Sequence, residues 1–191
     1  MIITIAGTAG SGKSTIAKSL TKILNAERVY VGGIRRELAR KKDMTIEELN
    51  EYAKTHPETD VEVDKTAAKK AKELAEKGHT VIVEGRVQFH FLPESIKLYI
   101  KVDPLTAAKR IFKETQVQNA KKARNEKTYA SPEELAKHIV ERTQNDTKRF
   151  IKYYDIDDTN LSQYDFILDT EDITAEEAIA KVLEFIEDQK N

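Results

Sequence analysis

Short runs of aliphatic and β-branched residues alternate with longer stretches whose apolar positions recur every three or four residues. This is the signature of β-strands interleaved with amphipathic helices, and hence of an α/β fold on a parallel sheet. Five strands are predicted, at Ile2–Ala6, Arg28–Val31, Thr80–Val83, Ile96–Val102 and Asp165–Leu168. The first and third are continuously apolar, as strands covered on both faces must be. Helix starts are marked chemically. Thr45 with Glu48, Ser131 with Glu134 and Thr174 with Glu177 have capping-box spacing, and Asp103-Pro104 and Ser131-Pro132 set a capper before a first-turn proline. A long helix is expected from about Pro57 to Gly78, and another over Thr15–Leu24.

Two stretches exceed what the sheet needs. Residues 32–79 separate the second and third strands and are too many for one crossover helix, and residues 112–154 separate the fourth and fifth. The second includes Asn119–Lys127, polar, basic and without apolar periodicity. Long excursions inside a compact domain usually serve function, so both read as mobile subdomains over one site.

Composition narrows the chemistry. At 191 residues the chain, 1–191, has the size of one domain with a core of its own. It has no cysteine, which excludes disulfides, thiol nucleophiles and thiolate zinc sites. Its four histidines, His56, His79, His90 and His138, form no paired metal-ligand spacing. Thirty-two Lys and Arg against thirty-three Asp and Glu give no bulk charge that favours nucleic acid or a membrane. No apolar run approaches a membrane span, and Met1–Ala6 lacks the basic flank and cleavage site of a leader. A soluble, cytoplasmic, monomeric protein with small-molecule partners is expected.

The residues Gly7-Thr8-Ala9-Gly10-Ser11-Gly12-Lys13-Ser14 match G-x-x-x-x-G-K-[ST], directly after the first strand and at the opening of a helix that continues with Thr15. In such a loop the backbone N–H groups turn inward onto phosphate oxygens and the helix dipole adds to their pull. Lys13 then reaches the β- and γ-phosphates, and the Ser14 hydroxyl can ligate Mg²⁺. ATP and Mg²⁺ are the implied cofactors. The absence of an N-K-x-D guanine box weighs against a GTPase, and the single domain weighs against a motor or transporter ATPase. At the end of the third strand, Glu84-Gly85-Arg86 brings an acid and an arginine to the ligand side of the sheet. Glu84 can hold a water on the metal, and Arg86 a second phosphate or a base. An exposed Glu–Arg pair is the plainer alternative.

With Gly32-Gly33-Ile34-Arg35-Arg36-Glu37-Leu38-Ala39 and Val83-Glu84-Gly85-Arg86, the chain resembles the P-loop nucleoside monophosphate kinases, and most of all the archaeal-type cytidylate kinases. The likeness extends through Ile156-Asp157-Asp158 and Tyr164–Thr170 and so covers nearly the whole chain. It implies a five-stranded parallel sheet flanked by helices, with an NMP-binding insertion at 32–79 and a LID at 112–154. The implied reaction is ATP-dependent phosphorylation of CMP or dCMP. Three departures concern the base and the lid. Gly33 stands where the family carries an acid, Val87-Gln88-Phe89-His90 follows Arg86, and the lid is long and Lys-rich.

By the same resemblance Arg36 takes the phosphate-clamp position on the acceptor, and Arg110 that of a lid arginine near ATP. Arg142 and Arg149, two turns apart on one helix face, would neutralise the transferring group as the lid closes. A solvated basic face explains Arg35, Arg36, Arg40 and Lys41 more simply. Asp60 and Asp64 can orient Arg36, touch ribose, or be exposed helical acids. Gln88 is placed by strand-like alternation on one side with Arg86, where its amide can answer both N4 and N3 of cytosine. The alternatives are another acceptor, UMP, AMP or a small metabolite, and, from another class, a nucleotide-binding switch or RNA-associated NTPase using Lys121, Lys122 and Lys127. Adenylate kinases usually carry D-G-F-P-R near Glu84, which counts against AMP.

Overall fold

The computed structural model describes residues 1–115 and 129–189. The stretch holding Lys121, Lys122 and Lys127 lies outside the described residues. Five strands, β1 Ile2–Gly7, β2 Glu27–Tyr30, β3 Val81–Glu84, β4 Ile96–Lys101 and β5 Phe166–Asp169, form one all-parallel sheet in the order β2-β3-β1-β4-β5. The described helices are α1 Lys13–Ile23, α2 Val31–Lys41, α3 Ile46–Tyr52, α4 Glu58–Glu76, α5 Gln88–Phe91, α6 Pro104–Thr115, α7 Pro132–Tyr154 and α8 Ala175–Asp188.

Alternation along β1 divides the core. Ile3 and Ile5 pack with Ile16 and Leu20 of α1 and with Val182 and Ile186 of α8, while Ile2 turns to the face covered by α4. The residues α4 lays on that face, Val63, Ala67, Ala68 and Ala71, recur with helical spacing and are mostly alanine, so the helix lies close on β2 and β3. α4 is therefore the crossover helix between these strands, and α2 and α3 are what protrudes from 32–79. Between β4 and β5, Ala107, Ala108 and Ile111 of α6 pack against Leu135 and Ile139 of α7.

The capping boxes at Thr45 and Thr174 form in both directions. At α7 only half of one forms. The Ser131 hydroxyl accepts from the Glu134 N–H at 3.2 Å, but the Glu134 carboxylate accepts from the Ala130 N–H at 2.7 Å, one residue earlier. Two boundaries move with consequences for the site. β2 stops at Tyr30 because Val31, buried with Val29 and Val83, already opens α2, so Gly32 and Gly33 sit in a helical first turn. β3 starts and ends one residue later than its apolar run predicts, because Glu84 still pairs with Ile5 and Tyr30.

Candidate active site

The C-terminal ends of β1, β2 and β3 open into a cleft of about 650 Å³, walled by the glycine-rich loop, the start of α2, α4 and α7. Gly7 has φ 131°, and a Cβ there would stand 1.9 Å from the Ile100 carbonyl oxygen, so β4 passes too close for any side chain. Thr8 ties the loop to the sheet. Its N–H donates to the Ile100 carbonyl at 3.1 Å, and its hydroxyl accepts from the Val102 N–H at 3.2 Å. Ser11 closes the turn onto the Thr8 carbonyl at 2.9 Å. Ala9, Gly10, Gly12 and Thr15 line the cleft, and Lys13 and Ser14 are the first two residues of α1, with the Lys13 ammonium donating to the Thr8 carbonyl.

Across the cleft floor the Ser14 hydroxyl donates to Glu84 Oε1 at 2.5 Å, and Glu84 also pairs with Arg28. A hydroxyl and a buried carboxylate side by side are hard oxygen donors that fit Mg²⁺, which binds few protein groups and keeps waters and phosphate oxygens as ligands. Among the described residues no cluster of three or more His, Asp or Glu could hold a metal by itself.

Opposite the loop the sequence-predicted arginines converge. Asp60, 1% exposed, accepts from Arg149 Nε at 2.9 Å and pairs with Arg35. Asp146 lies 2.8 Å from Arg149, 3.0 Å from Arg86 and 3.8 Å from Arg142. Burial pushes the Asp146 carboxyl up, but the charges of Arg86, Arg142 and Arg149 outweigh it and hold the group below the ordinary carboxylate range. Arg149 is buried too. Burial works against its charge, yet Asp146 and Asp60 raise its pKa, and its Nη1 has no hydrogen-bond partner among the described residues. Arg36 donates to the Tyr30 hydroxyl and to the Gly32 carbonyl at 3.2 Å.

Arg110 lines the same cleft but directs its guanidinium away. It donates to the Thr170 hydroxyl and carbonyl at 3.1 and 2.7 Å, so it holds the turn after β5. Gln88 departs from expectation. The chain leaves the strand at Glu84, residues 88–91 form a short helix, and strand-like alternation does not apply. Gln88 and Arg86 part company. Arg86 turns to Asp146, while Gln88, fully buried, donates from Nε2 to Asp64 Oδ1 at 2.9 Å. The same nitrogen lies 3.5 Å from the Asp64 backbone carbonyl, so both amide hydrogens are directed at Asp64 and the geometry does not support the two-point reading of cytosine by this amide.

Several site residues escape a reading of the sequence. Tyr30 packs its ring over the start of α2, where a Cβ on residue 33 would stand 2.7 Å from Tyr30 Cδ1, so the ring takes the space a side chain at Gly33 would need. Arg28 lies over the same ring at 4.6 Å. Asp146 had a signal, since it stands four residues after Arg142 and three before Arg149 on their shared face. α7 also reaches the segment that protrudes between β2 and β3, with the Tyr153 hydroxyl donating to the Ala53 carbonyl at 2.8 Å.

Residues 3–130 match the profile of a family described as AAA domain, which contains the glycine-rich loop. The chain is 34% identical to the cytidylate kinase of Archaeoglobus fulgidus over 100% of its own length and 97% of the relative's. It is 33% identical to the cytidylate kinase of Pyrococcus abyssi over 89% of its own length and 84% of the relative's. Among solved structures, shikimate kinase from Acinetobacter baumannii in complex with shikimate superposes with a TM-score of 0.57, at 17% identity over 99% of this chain and 94% of that one. The last comparison speaks for the fold alone.

Proposed function

Because the chain belongs to the cytidylate kinase family of P-loop nucleoside monophosphate kinases, we propose that it transfers the γ-phosphoryl group of ATP to CMP or dCMP, giving ADP and CDP or dCDP. One observation carries this reading. Two anion-binding surfaces face each other across a single cleft, the loop with Lys13 on one side and the arginines gathered by Asp60 and Asp146 on the other. A hydrolase needs one such surface; a transferase between two phosphorylated molecules needs both.

In the proposed reaction an oxygen of the acceptor phosphate attacks the γ-phosphorus in line. The bond to the β,γ-bridging oxygen breaks, and its electron pair leaves with ADP. With a second pKa of about 6, the acceptor phosphate is largely dianionic at neutral pH, so no general base is required. Positioning and charge neutralisation carry the rate. Lys13 and the loop N–H groups hold the ATP phosphates. Ser14 and Glu84 would hold Mg²⁺, which would supply positive charge against the ATP phosphates. Arg36 clamps the acceptor phosphate. Arg86, Arg142 and Arg149 meet the charge of the transferring group, and Arg110 supports the nucleotide end of the cleft through the turn after β5. Residues 32–79 serve as the acceptor-binding segment and 112–154 as the lid, closing on a monomer in the cytoplasm.

A coupled ADP assay tests the reading. ADP should form from ATP and Mg²⁺ only when an acceptor is added, with kcat/KM highest for CMP or dCMP and lower for UMP, AMP and shikimate. ADP formation without acceptor, or on addition of RNA alone, would overturn it.

A further inference from the structure

The cleft contains a carboxyl that phosphoryl transfer does not use and that neutral donors hold. Asp64 of α4 lines it, 7% exposed, one turn beyond Asp60. Its Oδ1 accepts from Gln88 Nε2 and its Oδ2 from the Tyr154 hydroxyl, both at 2.9 Å. Donors from α5 and α7 thus fix a carboxylate on α4, and three elements agree on its orientation. Among the described residues no Lys or Arg forms an ion pair with it. Burial pushes its carboxyl up to about 6, the bonds from Tyr154 and Gln88 and the charge of Arg35 pull the other way, and the charge of Asp60 adds to the rise.

The hydrogen-bonding capacity here is one-sided. Each Asp64 oxygen has two lone pairs and accepts one bond from Gln88 or Tyr154. Gln88 Oε1 is buried and receives no hydrogen bond among the described residues. The donor hydrogens, two on the Gln88 amide nitrogen and one on the Tyr154 hydroxyl, are all directed at Asp64, to Oδ1, its backbone carbonyl and Oδ2. Such a site has acceptors to spare and calls for a donor. Asp60, one turn away, holds Arg35 and Arg149, so this acceptor-rich wall adjoins the phosphate-facing arginines as a base adjoins its own phosphate.

Building on the reading that the cleft takes a pyrimidine monophosphate, we propose that Asp64 recognises the 4-amino group of cytosine, with Gln88 and Tyr154 as positioning residues. The amino group brings hydrogens to a carboxylate held to accept them. Uracil presents O4 instead, which has only lone pairs and leaves buried acceptors facing an acceptor.

Calorimetric titration of CMP and of UMP into wild type and Asp64→Asn tests this, beside steady-state kinetics with both acceptors. Wild type should favour CMP, and Asp64→Asn should shrink the CMP-to-UMP ratio of Kd and of kcat/KM at least tenfold, with the ATP Kd unchanged within twofold. Gln88→Leu and Tyr154→Phe should shift the ratio in the same direction by less, and they carry the test if the first variant melts early. An unchanged ratio in all three, or equal losses with both nucleotides, overturns the assignment. Failure of the underlying reading looks different. CMP bound over UMP in an Asp64-dependent manner, without CMP-dependent ADP formation, removes the kinase acceptor and leaves Asp64 its role. Wild type that binds neither nucleotide removes both.

Discussion

Lys13 and Arg36 carry charges of the same sign on opposite walls, and their variants separate the two halves of the cleft. Lys13 stands at the first position of α1 and reaches the loop with its ammonium, so its loss should leave packing intact. Lys13→Met is expected to lower turnover by about a hundredfold or more, the scale of losing one preorganised charge contact, with an unchanged melting temperature. Turnover above a tenth of wild type would refute the role. Arg36 is anchored away from the loop, on Tyr30 and the Gly32 carbonyl. Arg36→Ala should raise KM for the acceptor by about tenfold and KM for ATP by less than twofold, the pattern of lost binding on one substrate. Equal effects on both would leave it a structural residue.

At the scale of elements α7 decides most. It is a 23-residue helix that packs on α6 through Leu135 and Ile139 and delivers Arg142, Asp146 and Arg149 to the cleft from successive turns. A rigid helix sets these groups more exactly than a loop can, and Asp146 holds the guanidiniums of Arg86, Arg142 and Arg149 around one carboxylate. Arg142→Ala should therefore lower kcat and kcat/KM together, by about a hundredfold, because its charge matters most as the phosphoryl group passes. A change confined to KM would place Arg142 in uniform binding instead. α8 has a simpler task. Its reciprocal cap at Thr174 and Glu177 satisfies first-turn N–H groups, and Thr174→Ala should cost about 1 kcal/mol in urea unfolding with kinetics untouched.

For the whole molecule, two buried carboxyls give stability opposing pH dependences. Asp146 is held below its ordinary range, so its contribution is present above the unfolded carboxyl pKa and is lost as pH falls through the lower folded value. Asp64 rises from 3.8 to about 6, so the folded state holds a proton that the unfolded state has released, and stability falls as pH climbs from about 4 to 6. Asp64→Asn removes that slope. The difference in unfolding free energy between variant and wild type should shift in the variant's favour by about 2–3 kcal/mol across this window and stay flat above it. A parallel pair of pH profiles would show that Asp64 does not titrate there.

The parallel sheet, the capped helices and the loop around Lys13 are legible in the order of the amino acids alone. Each is a local pattern, an apolar run, a capper at fixed offset or glycines before Lys-Ser, that works through backbone geometry within a few residues. The sequence also brought Arg36, Arg86, Arg142 and Arg149 to notice as cations. It could not pair them, because Asp60 meets Arg149 across 89 positions of chain and Glu84 meets Ser14 across 70. Tertiary structure alone decided that Gln88 turns inward to Asp64, that Arg110 holds the turn after β5, and that Tyr30 fills the space over Gly33. The reason is physical: a buried polar group must find a partner wherever the packing places one, and packing brings together residues whose separation in the chain leaves no periodic trace.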